Sequence, residues 1–257
     1  MANNPRNLRP SLINIDDIIH FYALKSNIEN KTVRCIQIGA NDGKVNDPIY
    51  KYVTEFKWNS VHVEPQTWVY ENELKKTYKD YPNANLVNAA KADSNIELPF
   101  YQLSFTNQRW VTGLAGFDKS SLLNQIERGY VDRKAKKNGV KTPENKEDYI
   151  AESKVNTTTF DQLAKQHNFE DVDFLCIDTE GFDYEVLKLF NFEKYHPEII
   201  LFESKNLKDN DYIESKKLLE GNGYQLYWQK GDTVAIRFSY PFINKVKSKI
   251  TAFLSKL

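Results

Sequence analysis

The stretch Val33-Arg34-Cys35-Ile36-Gln37-Ile38-Gly39-Ala40-Asn41-Asp42-Gly43 constrains the fold of this chain more than any other. Val33, Cys35, Ile36 and Ile38 have the length and β-branched content of a buried strand, and the run breaks into a turn flanked by glycines. Gly39 and Gly43 mark backbone that bends sharply or that something approaches closely. Asp47-Pro48 then offers a capping side chain and a first-turn proline, so a helix is expected through Ile49, Tyr50 and Val53 as far as Phe56. Strand, glycine turn and helix open a βαβ unit. Taken alone the turn is weak, because its spacing is not the G-x-G-x-x-G of dinucleotide binders and such turns also serve as plain punctuation.

The next strands supply candidates for a ligand site. Ser60-Val61-His62-Val63-Glu64-Pro65 is short and apolar, and it ends in a carboxylate about 20 residues beyond the turn, where Rossmann-like sites hold ribose hydroxyls. Residues 85–90 read as a third strand; the small residues at its exit, Asn88, Ala89 and Ala90, suit contact with a flat ring or simple close packing. Residues 172–177 form a buried strand that delivers Asp178-Thr179-Glu180-Gly181, and residues 199–202 form another that ends in Glu203-Ser204-Lys205. Ligands of open parallel sheets lie beyond the carboxyl ends of the strands, so one cleft is expected to collect all these exits. The plainer roles are a helix cap for Asp178 and a lysine pair for Glu203.

The remaining chain fits one α/β domain. Its 257 residues leave room for an insertion but not for two generous domains, and 40% hydrophobic content supports a sizeable core. Equal counts of acidic and basic residues, 35 of each, give no overall field favouring nucleic acid. Residues 1–30 are expected as an N-terminal extension with a helix from Ile15 to Lys25. A helix over 67–80 carries Trp68, Leu74 and Tyr78 on one side, and residues 96–103 read as a strand of a small hairpin. Residues 104–153, with Trp110, a helix from Ser120 to Gly129 and a lysine-rich stretch, read as an insertion that helps form an acceptor site. Helices follow at 157–166, after residue 183 and at 211–221. A hairpin over 224–228 and 233–238 then makes the expected domain span residues 31–241.

Residues 242–257 place Phe242, Val246, Ile250, Phe253 and Leu257 at helical steps between lysines. This amphipathic helix suits docking on the domain or a second subunit, and its basic face also suits a membrane surface. Cys35 and Cys176 each sit in an apolar strand-like run, and Met1-Ala-Asn-Asn-Pro lacks an apolar signal core. A reduced, cytoplasmic setting is therefore expected, with peripheral membrane contact through the last helix as the variation. His62 lies inside a strand and reads as core.

The segments Ile38-Gly-Ala-Asn-Asp-Gly43, Val63-Glu64-Pro65 and Val172-Asp-Phe-Leu-Cys-Ile-Asp178-Thr-Glu180-Gly181, in that order, resemble the FkbM family of S-adenosylmethionine-dependent methyltransferases. The D-x-E-G after a buried strand, preceded by Thr159-Phe-Asp-Gln-Leu163, is the most distinctive part, and the match runs over residues 33–205. The resemblance implies the class I methyltransferase fold: a mostly parallel seven-stranded Rossmann-like sheet, helices on both faces and a final antiparallel hairpin. It implies methylation of hydroxyl oxygens, commonly on sugars or polyketide-like natural products. Carried over by position, Gly39, Ala40, Asn41 and Gly43 would pass the methionine portion of the cofactor. Glu64 and the adjoining Pro65 would lie at the ribose, Asn88, Ala89 and Ala90 would border the adenine, and Asp178 would lie near the methyl. Gln37 stands where the family often has an acid, and it is expected to bond the cofactor's amino group.

Methyl transfer from a sulfonium needs an aligned acceptor and a proton acceptor. Asp178 is the first choice as base, with Glu180, Glu203 and Lys205 behind it. Asp178, Glu180 and Glu203 form the alternative of a Mg²⁺ site, not favoured because no ligand spacing singles out a metal. A nucleic-acid amino methyltransferase is expected to carry [DNS]-P-P-[FYW] where Asp178-Thr-Glu-Gly stands. A non-catalytic adaptor retaining the fold is the alternative from another class.

Overall fold

The structure, a computed structural model, describes residues 14–238. The expected helix over 242–257 lies outside the described residues. Apolar runs with β-branched residues give the strands β1 (Arg34–Ile38), β2 (Asn59–Val63), β3 (Ala84–Val87), β4 (Ala90–Lys91) and β5 (Glu97–Leu103). They continue as β6 (Ile150–Thr158), β7 (Phe174–Ile177), β8 (Ile199–Glu203), β9 (Gln225–Gln229) and β10 (Asp232–Ile236). A seven-stranded sheet runs in the spatial order β3-β2-β1-β7-β8-β10-β9. All its pairings are parallel except those of β10, which is antiparallel to both β8 and β9. Numbered by themselves, the seven strands lie in the order 3-2-1-4-5-7-6. The chain winds outward from β1 to β3 and then returns to β7 on the other side of β1. That reversal leaves a crevice above the carboxyl ends of β1 and β7.

Alternation along the strands divides the core into two layers. Ile36, Ile38, Leu175, Ile177, Ile200 and Phe202 face the helices Phe160–Gln166, Asp183–Lys188 and Asp209–Gly221. Cys35, Phe174, Cys176, Ile199 and Leu201 face the helices Ile15–Ile28 and Tyr50–Thr54 and the one that follows β2. Trp58 anchors this second layer, stacked on Tyr52 at 4.9 Å between ring centroids. Asp173 fixes the register of β7 on β1 from the end away from the crevice, accepting from the Arg34 backbone N–H (2.8 Å) and guanidinium (2.9 Å).

The third strand expected over 85–90 ends at Val87, and two further elements differ from expectation. The helix after β2 contains a π turn at Tyr70–Leu74, between Thr67–Val69 and Lys75–Tyr78. Its i→i+5 geometry brings Val69 into phase with Leu74, so Val69, Leu74 and Tyr78 are buried while Trp68 is 43% exposed. The second is β6, whose residues sequence reasoning placed partly at the end of the insertion, up to residue 153, and partly at the start of a helix, from residue 157. β6 pairs antiparallel with β5 from Glu97↔Asn156 to Leu103↔Ile150 and parallel with β4, forming a second, three-stranded sheet. The helix starts only at Phe160, where Thr159 and Gln162 form a reciprocal capping box. The expected insertion is thus strung between β5 and β6. It holds helices at Arg109–Thr112, Lys119–Glu127 and Tyr130–Lys137, with a small core of Leu103, Val111, Leu122, Ile126, Val131 and Tyr149. No helix among the described residues is long and apolar enough to cross a membrane.

Candidate active site

The glycine turn leaves β1 between the tips of β2 and β7. Gly39 has φ +82, and its N–H donates to the Val63 carbonyl at 2.9 Å. A Cβ at this position would lie 1.8 Å from the Asp178 carbonyl oxygen, so only glycine fits. Beyond it, the Asn41 backbone N–H donates to Glu64 Oε2 and the Gln66 N–H to Glu64 Oε1, both at 2.8 Å. Glu64 is 2% exposed. Burial pushes its carboxyl up to about 7, outweighing the bonds from Gln66 and Asn41 and the nearby charge of Arg109, which pull the other way. Each oxygen keeps lone-pair capacity for a further donor, as a pair of vicinal hydroxyls requires.

The acidic end lies across the turn. Carboxylate oxygens of Asp178, Glu180 and Glu203 all fall within 4.8 Å of one another. Asp178 opens onto solvent but is hemmed in by protein, and burial first, then the Glu203 charge, pushes its carboxyl up to about 7. Burial followed by the charges of Glu203 and Asp178 pushes Glu180 up to about 8. Fully buried Asp183 holds this turn together, accepting from Thr179 N–H and Oγ1, Gly181 N–H and Glu203 N–H. The Lys205 ammonium hydrogen-bonds Glu203, and the Asn206 amide bridges Glu203 (2.6 Å) and Glu180 (3.1 Å). These carboxylates are close enough to share a divalent cation, although Lys205 and Asn206 already engage part of the set.

Between these ends lies a cleft of roughly 700 Å³. Of the residues chosen from sequence, Gly39, Asn41, Glu64, Pro65, Ala89, Ala90, Asp178 and Glu180 line it. Gln37, Ala40, Gly43, Asn88, Glu203 and Lys205 do not. Strand alternation turns Gln37 to the opposite face of the sheet, where its amide donates to Asp47 (2.7 Å) and its oxygen meets His62 Nδ1 (2.7 Å). His62 is fully buried there with Ser60 on its other nitrogen, and burial lowers its pKa to about 3. Ala40 packs into the second core layer, and Gly43 abuts Tyr78 and Leu74. The Asn88 amide braces the Glu64 and Pro65 carbonyls from behind. Glu203 and Lys205 act on the cleft through the neighbouring carboxylates.

The far wall comes from the insertion, where sequence reasoning expected an acceptor site but chose no site residue. Arg109, Thr112, Gly113, Ala115 and Phe117 of the insertion face Phe182 across the cleft. Gln66 Nε2 donates to the Thr112 carbonyl at 2.9 Å, joining the β2 exit to the insertion. No spacing in the sequence announces a contact 46 residues long.

The raised carboxyls fix the sign of a pH effect on stability. A carboxyl whose pKa rises on folding holds its proton more tightly when folded, so its contribution is full below its unfolded value and is lost as pH climbs through the folded value. Glu64 and Asp178 at about 7, Glu180 at about 8 and Asp232 at about 6, the last raised by burial and by Glu203, all act this way. His62 opposes them only below its ordinary value of about 6.5. The melting temperature of the ligand-free protein is therefore expected to fall from about pH 6.5 to about pH 8.5, and Glu180→Gln to flatten the slope. A thermal-shift series that stays level over that range contradicts the assignment.

The family model for the methyltransferase FkbM domain matches residues 37–226, and the chain belongs to that family. Its sheet order and crevice are those of the class I methyltransferases. No curated protein matches the sequence. Among solved structures, the METTL16 methyltransferase domain is 11% identical with a TM-score of 0.45, covering 87% of this chain and 67% of its own. A precorrin-6y C5,15-methyltransferase from Geobacter metallireducens is 11% identical with a TM-score of 0.39, covering 88% of this chain and 90% of its own. A methyltransferase from Pyrococcus furiosus is 10% identical with a TM-score of 0.37, covering 86% and 83%.

Proposed function

We propose that this protein transfers a methyl group from S-adenosylmethionine to a hydroxyl oxygen, on a sugar or glycan, and releases S-adenosylhomocysteine. The observation that carries the reading is the Asp178 carboxyl, held at about 7 on the wall of a cleft whose other end presents the buried Glu64 carboxylate. Bound there, the cofactor supplies an electrophilic methyl on a sulfonium. Glu64 would accept from the ribose hydroxyls, and Ala89 and Ala90 would flank the adenine. A neutral alcohol is a weak nucleophile and must give up its proton as the new C–O bond forms, and a carboxylate with a pKa near the working pH is suited to take it. Phe117 and Phe182, 5.6 Å apart at the cleft, beside the polar Thr112 and Arg109, offer the mixed apolar and polar wall that a sugar ring requires.

Isothermal titration tests the donor site. S-adenosylhomocysteine is expected to bind the wild type, and Glu64→Ala is expected to weaken it about 100-fold, since two charge-assisted hydrogen bonds go with the carboxylate. Wild-type protein that binds neither the donor nor its product defeats the enzyme reading and leaves an adaptor with this fold. Labelled donor offered to a panel of glycans then tests the acceptor, and label appearing only on amines defeats the choice of oxygen.

A further inference from the structure

We propose that Arg109, which already ties the insertion to the glycine turn, takes up the carboxylate of the methyl donor's amino-acid portion. The inference rests on the donor-site reading above. It starts from the turn's backbone, the usual place for an anion in such a site. In this turn every N–H from residue 39 to residue 45 already has an acceptor within the protein. Gly39 and Ala40 donate to the Val63 carbonyl, Asn41 to Glu64 and Gly43 to the Ala40 carbonyl. Asp42 donates to Asn41 Oδ1, and Lys44 and Val45 to Asp42 Oδ1. A carboxylate arriving here finds no backbone donor and must be met by a side chain.

Charge narrows the choice. Glu64, Asp178 and Glu180 line the cleft and repel an anion, and among its described lining residues the cations are Lys91 and Arg109. Lys91 is 4% exposed at the Ala89–Ala90 exit, with its ammonium on the Ala92 carbonyl and 4.4 Å from the Phe160 ring centroid. Arg109 stands on the glycine turn. Its Nη1 donates to Asn41 Oδ1 at 2.6 Å and pairs with Asp42 at 2.9 Å, and its Nη2 donates to the Val45 carbonyl at 2.8 Å. A guanidinium has five N–H donors, so Nε and one Nη2 hydrogen remain for an incoming carboxylate. Because these bonds hold the guanidinium on the turn before any ligand arrives, the donor's carboxylate would meet a cation already in position.

The test separates this contact from a general role in folding. Titrations compare S-adenosylhomocysteine with 5′-deoxy-5′-methylthioadenosine, which keeps the nucleoside and lacks the amino-acid portion. Arg109→Ala is expected to weaken the first by about 10- to 100-fold and the second by less than about threefold, in line with loss of a charge-assisted contact. Arg109→Lys, which keeps the charge without the fork, is expected to fall between. Equal losses for both ligands would mean that Arg109 only braces the turn, and no loss for either would remove it from the site; each overturns the proposal. Wild-type protein that binds neither ligand would defeat the donor-site reading itself.

Discussion

Gly39→Ala is expected to destabilise the protein by about 2–4 kcal/mol and to abolish donor binding together with it. The left-handed φ of +82 accounts for about 1 kcal/mol of this, the cost of a Cβ in that conformation. The larger part is steric. The new Cβ would lie 1.8 Å from the oxygen and 2.8 Å from the carbon of the Asp178 carbonyl, which are main-chain atoms of the neighbouring strand exit and cannot rotate away. Relief requires the exits of β1 and β7 to separate, and Asp178 moves with its carbonyl. For a domain of this size such a loss lowers the melting temperature by roughly 5–15 °C. Gly221→Ala is the control. It sits in the helix Asp209–Gly221 with nothing within 4 Å of its added Cβ, and alanine there is expected to be neutral or stabilising by up to about 1 kcal/mol. Equal melting temperatures for the two variants would refute the close approach of the two exits.

The residues that sequence reasoning located share a local cause. β1, β2, β7 and β8 are buried on both faces and short, so each appears as an apolar run. At β2 and β7 the polar residue at the exit of such a run reaches the crevice itself, whereas Glu203 at the exit of β8 stands behind it. Glu64 and Asp178 were legible for that reason. Gln37 shows the limit: it stands in the motif, but period-two alternation between Ile36 and Ile38, which face the first core layer, sends it to the other side of the sheet. That signal was present in the sequence and outweighed by the resemblance.

What stayed hidden depends on contacts between distant segments. β6 reads Ile-Ala-Glu-Ser-Lys-Val-Asn-Thr-Thr and is mostly part-exposed, so it lacks an apolar run, and its partner β5 lies beyond the whole insertion. Arg109 reaches Asn41 across 68 residues and Thr112 meets Gln66 across 46. A lone arginine in a polar segment has no signature of its own. Only the folded chain shows that the turn's backbone donors are all engaged and that this side chain is the cation beside them.

Asp178→Asn is expected to lower kcat by about 10²- to 10⁴-fold while leaving the dissociation constant for S-adenosylhomocysteine within a few fold. Asparagine keeps the size and the side-chain oxygen and removes the capacity to accept a proton. The pH dependence makes the assignment specific. In the wild type, kcat/KM is expected to rise through about pH 7, where the carboxyl at the cleft wall becomes available as a base, and the asparagine variant is expected to lose that limb. Asp178 and Glu180 lie close enough to titrate as a pair, so the apparent value belongs to both. Glu180→Gln separates the members. Glu180, higher at about 8, is mostly protonated where Asp178 titrates, so Glu180→Gln leaves the rising limb near pH 7, with activity retained, if Asp178 is the base. If Glu180 is the base, Glu180→Gln abolishes the limb and Asp178→Asn shifts it. The two variants thus give opposite pairs of profiles, and the pair observed identifies the carboxylate that receives the acceptor's proton.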